Sequence, residues 1–123
     1  MIATKGTVDL YSPKALRGAM GSTFRLPVWS GISFREAIDW CTHQGIRTIA
    51  SDMRAASSYS EIDWSLPSAL IVGAEADGLD DGEMAFAGSA VFIPMRSPVE
   101  SLNVAVAAGI ILYEAARQRS RAK

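Results

Sequence analysis

Residues 93–119 read IPMRSPVESLNVAVAAGIILYEAARQR. An apolar run ends at Pro94-Met95 and a polar loop follows. Ser101-Leu102-Asn103 then precedes a segment with apolar side chains on nearly every side. The pattern predicts a strand over residues 90–93 and a helix from about residue 100 to 119. Ser101 and Asn103 place two hydrogen-bonding side chains at the mouth of that helix, beside a strand end. Open α/β sheets bind ligands at such positions. Both residues also have a purely structural reading, because Ser caps helices and Asn satisfies backbone groups near a helix start. The apolar segment reads either as a central core helix or as one partly covered by a second subunit.

Upstream, residues 68–72 form an apolar run suited to a buried parallel strand. Gly73-Ala74-Glu75-Ala76-Asp77-Gly78 follows it. Glycine after a strand serves a tight turn or lets a ligand approach the backbone, and Glu75 sets a carboxylate at the strand's end. No Gly-Lys-Ser/Thr follows, so this is not a P-loop, and the spacing is not that of a dinucleotide fingerprint. Asp80 and Glu83 start a short helix running to about Ala87.

Nearer the N-terminus, Ile2-Ala3 fits the tail of a strand. Ser12-Pro13 opens a helix that stops at Gly21, and residues 24–29 read as a strand with Pro27 at an edge or end. Ser33 and Glu36 fit a capping box for a helix with Ala37, Ile38, Trp40 and Cys41 on one side, closed by Gly45. Residues 46–50 read as a strand, and residues 53–67 as a long loop without period. The alternation predicts one α/β domain over residues 1–123, a mostly parallel sheet with helices on both faces.

The chain has 123 residues, about half of them hydrophobic, with 12 basic and 13 acidic side chains. Near-neutral charge argues against nucleic-acid binding through bulk charge and leaves a local basic patch open. A single cysteine, Cys41, excludes an internal disulfide framework, and with one histidine, His43, no zinc site is expected. Residues 104–112 are too short an apolar run to span a bilayer, and no signal-peptide core is present. The reading is a cytoplasmic protein with no membrane partner and no metal. Lys14 and Arg17 share a helix face three residues apart, which suits either solvent or phosphates. No nucleophile–His–acid set is present.

Three segments taken together resemble the SpoU (TrmH-type) branch of the SPOUT methyltransferases. They are residues 6–28, GTVDLYSPKALRGAMGSTFRLPV; residues 70–79, LIVGAEADGL; and the IPMRSPVESLNVAVAAG stretch. They occur in family order and spacing and cover essentially the whole chain. The resemblance implies an RNA ribose 2′-O-methyltransferase acting on tRNA or rRNA, with S-adenosyl-L-methionine as cofactor. It also implies a C-terminal trefoil knot and a homodimer. Carried over by position, Leu70, Gly73, Ile93, Met95, Ser101 and Leu102 would bind the cofactor. Glu75, Ser101 and Asn103 match polar active-site positions that orient reacting groups, and Lys14 and Arg17 would bind substrate.

Two departures stand out. Ser97 occupies a loop position where the family usually has Gly. The family's first motif, an Asn followed about five residues later by an Arg that assists the ribose hydroxyl, has no match in residues 1–123. Neither Arg17 nor Arg25 fits it. The expectation is an N-terminally truncated catalytic domain lacking its first strand and helix, with impaired turnover. The alternative is a non-catalytic module that binds cofactor or RNA and dimerises.

Overall fold

The computed structural model describes residues 1–74, 78–98 and 101–121. The chain divides into two compact units, Met1–Trp40 and Cys41–Lys123. The first contains β1 (Ile2–Thr4), α1 (Pro13–Ala19), a 3-10 turn (Ser22–Phe24) and β2 (Trp29–Ile32). Helix α2 (Phe34–His43) runs across the boundary. The second unit holds β3 (Arg47–Ser51), β4 (Ser57–Ser58), a 3-10 turn (Tyr59–Glu61), β5 (Ser68–Ile71), α3 (Asp81–Phe86), β6 (Ser89–Phe92) and α4 (Val104–Arg121).

Local capping sets the helix starts as the sequence predicts. The Ser12 hydroxyl accepts the Ala15 N–H, and Pro13 sits where no donor is needed. Ser33 and Glu36 exchange backbone-to-side-chain bonds at 2.7 and 3.2 Å. Asp80 and Glu83 do the same before α3. The strand expected over residues 24–29 is displaced: Ser22–Phe24 forms a 3-10 turn instead, and pairing begins only at Trp29. The Ser22 carbonyl draws in the Arg25 and Leu26 N–H groups, and Pro27 has none to offer a ladder. β1 and β2 pair in parallel, with the Trp29 N–H bonded to the Met1 carbonyl.

The second unit is a four-stranded parallel sheet in the order β4-β6-β3-β5. Central β3 pairs Ile49 with Leu70 on one side and with Ser89 on the other. The α/β class with parallel pairing is as expected. Ile49 and Val91 from the sheet pack with Ile111 and Ala115 of α4 and with Trp64. The stretch read as a featureless loop is therefore structured. It supplies β4 and a capped 3-10 turn, and it buries Trp64 to 2% exposure. The Trp64 indole N–H bonds the Tyr59 carbonyl at 2.8 Å, and its backbone N–H bonds Gln118 Oε1 at 2.8 Å. Gln118 Nε2 and Arg119 Nε return bonds to the Ile62 and Trp64 carbonyls. A run of loop backbone is thus satisfied by the last turns of α4.

Helix α4 begins at Val104, later than the sequence pattern suggests, and runs to Arg121. Its apolar character is only partly buried. Ile111 and Ala115 are enclosed, but Val106, Leu112 and Tyr113 are exposed.

Candidate functional site at the carboxyl ends of the parallel strands

The parallel strands of the second unit end together. The last paired residues are Ala50 with Ile71, Ser51 with Val91, and Ser58 with Phe92. Val72-Gly73 and Pro94-Met95 follow β5 and β6, so their peptide groups lie past the registered pairs. Peptide groups in such places are available to a ligand in open α/β sheets. The Asp52 N–H continues one step further, donating to the Val91 carbonyl at 3.0 Å.

Gly73 has a specific reason to be glycine. A Cβ there would stand 2.1 Å from the Gly78 carbonyl carbon and 2.5 Å from the Leu79 nitrogen. The approach that excludes a side chain comes from the chain's own backbone. Gly78, at φ 66°, folds back so that its N–H bonds the Ala74 carbonyl at 2.9 Å. Glu75 lies outside the described residues.

At the α4 end, Asn103 is the cap. Its Oδ1 accepts the Ala105 and Val106 N–H groups at 2.9 and 3.3 Å, and its carbonyl accepts from Ala107. The side chain is held in one orientation by helix geometry. Ser101 is exposed and Leu102 half-buried just before it. Leu70 and Ile93 are half-buried and pack on the same core cluster, and Met95 is half-buried beyond β6. The structure thus brings Leu70 and Ile93 into one cluster and sets Gly73, Met95, Ser101, Leu102 and Asn103 on the segments that follow β5 and β6. Lys14 and Arg17 lie exposed on α1 in the first unit.

The sequence reading passed over a charged group beside these strand ends. The Asp52 carboxylate is only 10% exposed and forks with the Arg54 guanidinium, its shortest contact being 2.9 Å. It also accepts the Arg54 backbone N–H at 2.7 Å. The Arg54 guanidinium holds the Asp52 carboxyl below the usual carboxylate range. Arg54 reaches further to Asp81 in the first turn of α3, at 3.7 Å. The only sequence signal was Asp-x-Arg directly after an apolar strand.

Half-buried aliphatic side chains beside peptide groups that lie past the registered strand pairs suit a flat heterocycle that needs both apolar contact and directed hydrogen bonds. Among the described residues no group of three or more His, Cys, Asp or Glu is placed to hold a metal ion. No described helix is long and apolar enough to cross a membrane.

Residues 1–113 match the family model described as the SpoU rRNA Methylase family. The chain belongs to the SpoU rRNA Methylase family. Over 116 residues it is 39% identical to an uncharacterized tRNA/rRNA methyltransferase of Synechocystis, covering 94% of this chain and 42% of that protein. A 23S rRNA (uridine(2479)-2′-O)-methyltransferase of Streptomyces viridochromogenes is 34% identical over 124 residues, covering 97% of this chain and 43% of that one. The crystal structure of the SpoU methyltransferase AviRb from Streptomyces viridochromogenes, in complex with the cofactor AdoMet, superposes with a TM-score of 0.90 at 34% identity. It covers 98% of this chain and 49% of that one. The chain thus spans less than half the length of these SpoU relatives.

Proposed function

We propose that this chain forms the cofactor-binding part of a single catalytic domain of an RNA ribose 2′-O-methyltransferase, taking tRNA or rRNA as substrate and S-adenosyl-L-methionine as methyl donor. The observation that carries this reading is the set of strand ends around Gly73, Ile93 and Met95, together with the likeness to a SpoU enzyme crystallised with AdoMet. Leu70, Ile93, Met95 and Leu102 would enclose the adenine, while peptide groups at Gly73, Ile93 and Ser101-Leu102 hydrogen-bond its edge. The cofactor supplies an electrophilic methyl group. The chain's own contribution is placement of donor and acceptor in line.

Asn103 acts as a positioning residue in this scheme. Its side-chain Oδ1 is committed to the α4 cap, so it orients the Ser101–Asn103 loop rather than attacking. Ser101 and Glu75 orient cofactor and ribose in the same way. Lys14 and Arg17 hold RNA phosphates. The proposal extends to a C-terminal trefoil knot, a homodimer and a cytoplasmic location. The exposed Val106, Leu112 and Tyr113 on α4 support the dimer, because a helix seldom leaves such a patch to water.

Calorimetry with S-adenosylmethionine and S-adenosylhomocysteine tests the site directly. Saturable binding of both, lost in Gly73→Ala, is the expected result, and absence of binding would remove the proposal. Methyl transfer to RNA is then followed with labelled cofactor. Binding without turnover would favour the non-catalytic module. Sedimentation at micromolar concentration should give a dimer, and a monomer would count against that part.

A further inference from the structure

Between Asp9 and Glu36 the chain carries Lys14, Arg17, Arg25 and Arg35 and no acidic residue. This is unusual in a chain whose formal net charge is -1. Arg35 pairs with Asp39 at 3.4 Å. Lys14, Arg17 and Arg25 form no ion pair among the described residues. They share this stretch with five large exposed side chains, Tyr11, Met20, Phe24, Leu26 and Trp29, of which Met20 at 89% and Phe24 at 74% are the most exposed.

The segment is rigidly built. Met20 closes α1 in the left-handed region at φ 47°, and Gly21 continues the reversal at φ 83°. The 3-10 turn is then fixed by three backbone bonds, from Phe24 to Gly21 and from Arg25 and Leu26 to Ser22, at 3.0 to 3.2 Å. α1 and this turn lie close together, and neither contains a buried residue. Phe24 is thus displayed on a closed turn next to Arg25, so little backbone entropy remains to be lost when something binds it.

A surface that carries these three exposed, unpaired cations attracts a polyanion and repels basic partners. An exposed phenyl ring on that surface calls for a flat apolar face in the same polyanion. Unpaired RNA offers both, a phosphate chain and bases whose faces can stack on an aromatic ring. In a duplex the base faces are covered, and only the phosphates remain.

We propose that α1 and the following 3-10 turn form a docking surface for single-stranded RNA, in which Phe24 stacks on an unpaired base and Lys14, Arg17 and Arg25 hold flanking phosphates. The inference rests on the proposed RNA substrate and deepens it. It assigns a preference for loops and unpaired ends to the first unit.

The test is fluorescence anisotropy of the chain with a labelled single-stranded oligoribonucleotide, the same strand carrying one abasic nucleotide in turn at each position, and its duplex. Phe24→Ala should weaken single-strand binding by about fivefold or more, with Phe24→Trp retaining it. One abasic position should erase the difference between wild type and Phe24→Ala. Arg25→Gln should flatten the dependence of log affinity on log salt by about 0.7. Equal affinity of wild type, Phe24→Ala and Phe24→Trp would overturn the stacking role. Equal affinity for duplex and single strand would overturn the preference. A dimer that Phe24→Ala converts to monomer, with RNA binding unchanged, would show that the surface serves a second copy. Cofactor calorimetry on Phe24→Ala separates the two proposals: this one fails with cofactor binding intact, whereas failure of the methyltransferase reading shows as no cofactor binding even in the wild type.

Discussion

The two units of this chain are built on opposite plans. The second encloses large side chains: Ile49, Trp64, Val91 and Ile111 are each at most 2% exposed. The first buries Ala3, Ala37 and Ile38 but leaves Val8, Tyr11, Met20, Phe24 and Leu26 in contact with water. Its order comes from short-range devices, the Ser12 cap, the Met20-Gly21 reversal and the Ser33–Glu36 box. Trp29 and Trp40 add an edge-to-face ring contact, with centroids 5.9 Å apart. Burial of large side chains stabilises far more than caps do. The second unit is therefore a scaffold on which strand ends can be held in place, while the first spends its apolar side chains on display.

The sharpest way to break this contrast is Trp64→Ala. It removes a fully buried ring and leaves the Tyr59 carbonyl without its indole donor, and it should cost about 3–5 kcal/mol in urea unfolding. A loss below about 1 kcal/mol would mean that the loop is not part of the scaffold. Gly73→Ala comes next. The added Cβ meets backbone at Gly78 and Leu79 rather than a movable side chain, so about 1–3 kcal/mol should be lost, together with cofactor affinity. Retained stability and affinity would show that the turn can open freely.

A smaller effect sharpens the description of the last turns of α4, where Gln118 also bonds Glu114. Hydrogen bonds from Arg117 and then Gln118 pull the Glu114 carboxyl down to about 2 from its ordinary 4.5. A depressed carboxyl stabilises the fold above its unfolded-state value, and the gain is lost as pH falls from about 4.5 toward 2. Wild type should therefore melt higher than Glu114→Gln at pH 6, with the two converging near pH 2. A constant gap across that range would mean the ion pair is not the cause. The smallest effect is expected at Phe24→Ala, within about 0.5 kcal/mol in stability, despite the loss of a whole phenyl ring. A large loss there would show that the first unit depends on that ring for its fold.

Much of the element order was legible because its signals are local. A cap joins residues three apart, as with Ser33 and Glu36 or Asp80 and Glu83, and an apolar run such as residues 68–72 declares a strand without its neighbours. The candidate site was proposed from the three family-like segments, which point to Gly73, Ile93 and the Ser101–Asn103 loop. It was less legible in chemistry. The Asp52–Arg54 fork was missed because Asp-x-Arg has many uses in a loop. The apolar helix suggested burial that α4 only partly attains.

By itself, the sequence determined the α/β class, the alternation of elements, most helix starts and the family. Tertiary structure alone decided that pairing after α1 waits until Trp29, where the Met1 carbonyl is available. It decided that residues 53–67 are structured by Gln118 and Arg119, more than 50 positions away. It also gave Gly73 its reason, since Gly78 and Leu79 occupy the space a side chain would need. The first two depend on backbone groups and side chains that meet across long separations, and the third on a tight turn that folds Gly78 back onto Gly73. A local pattern of apolar and polar residues carries no record of either meeting.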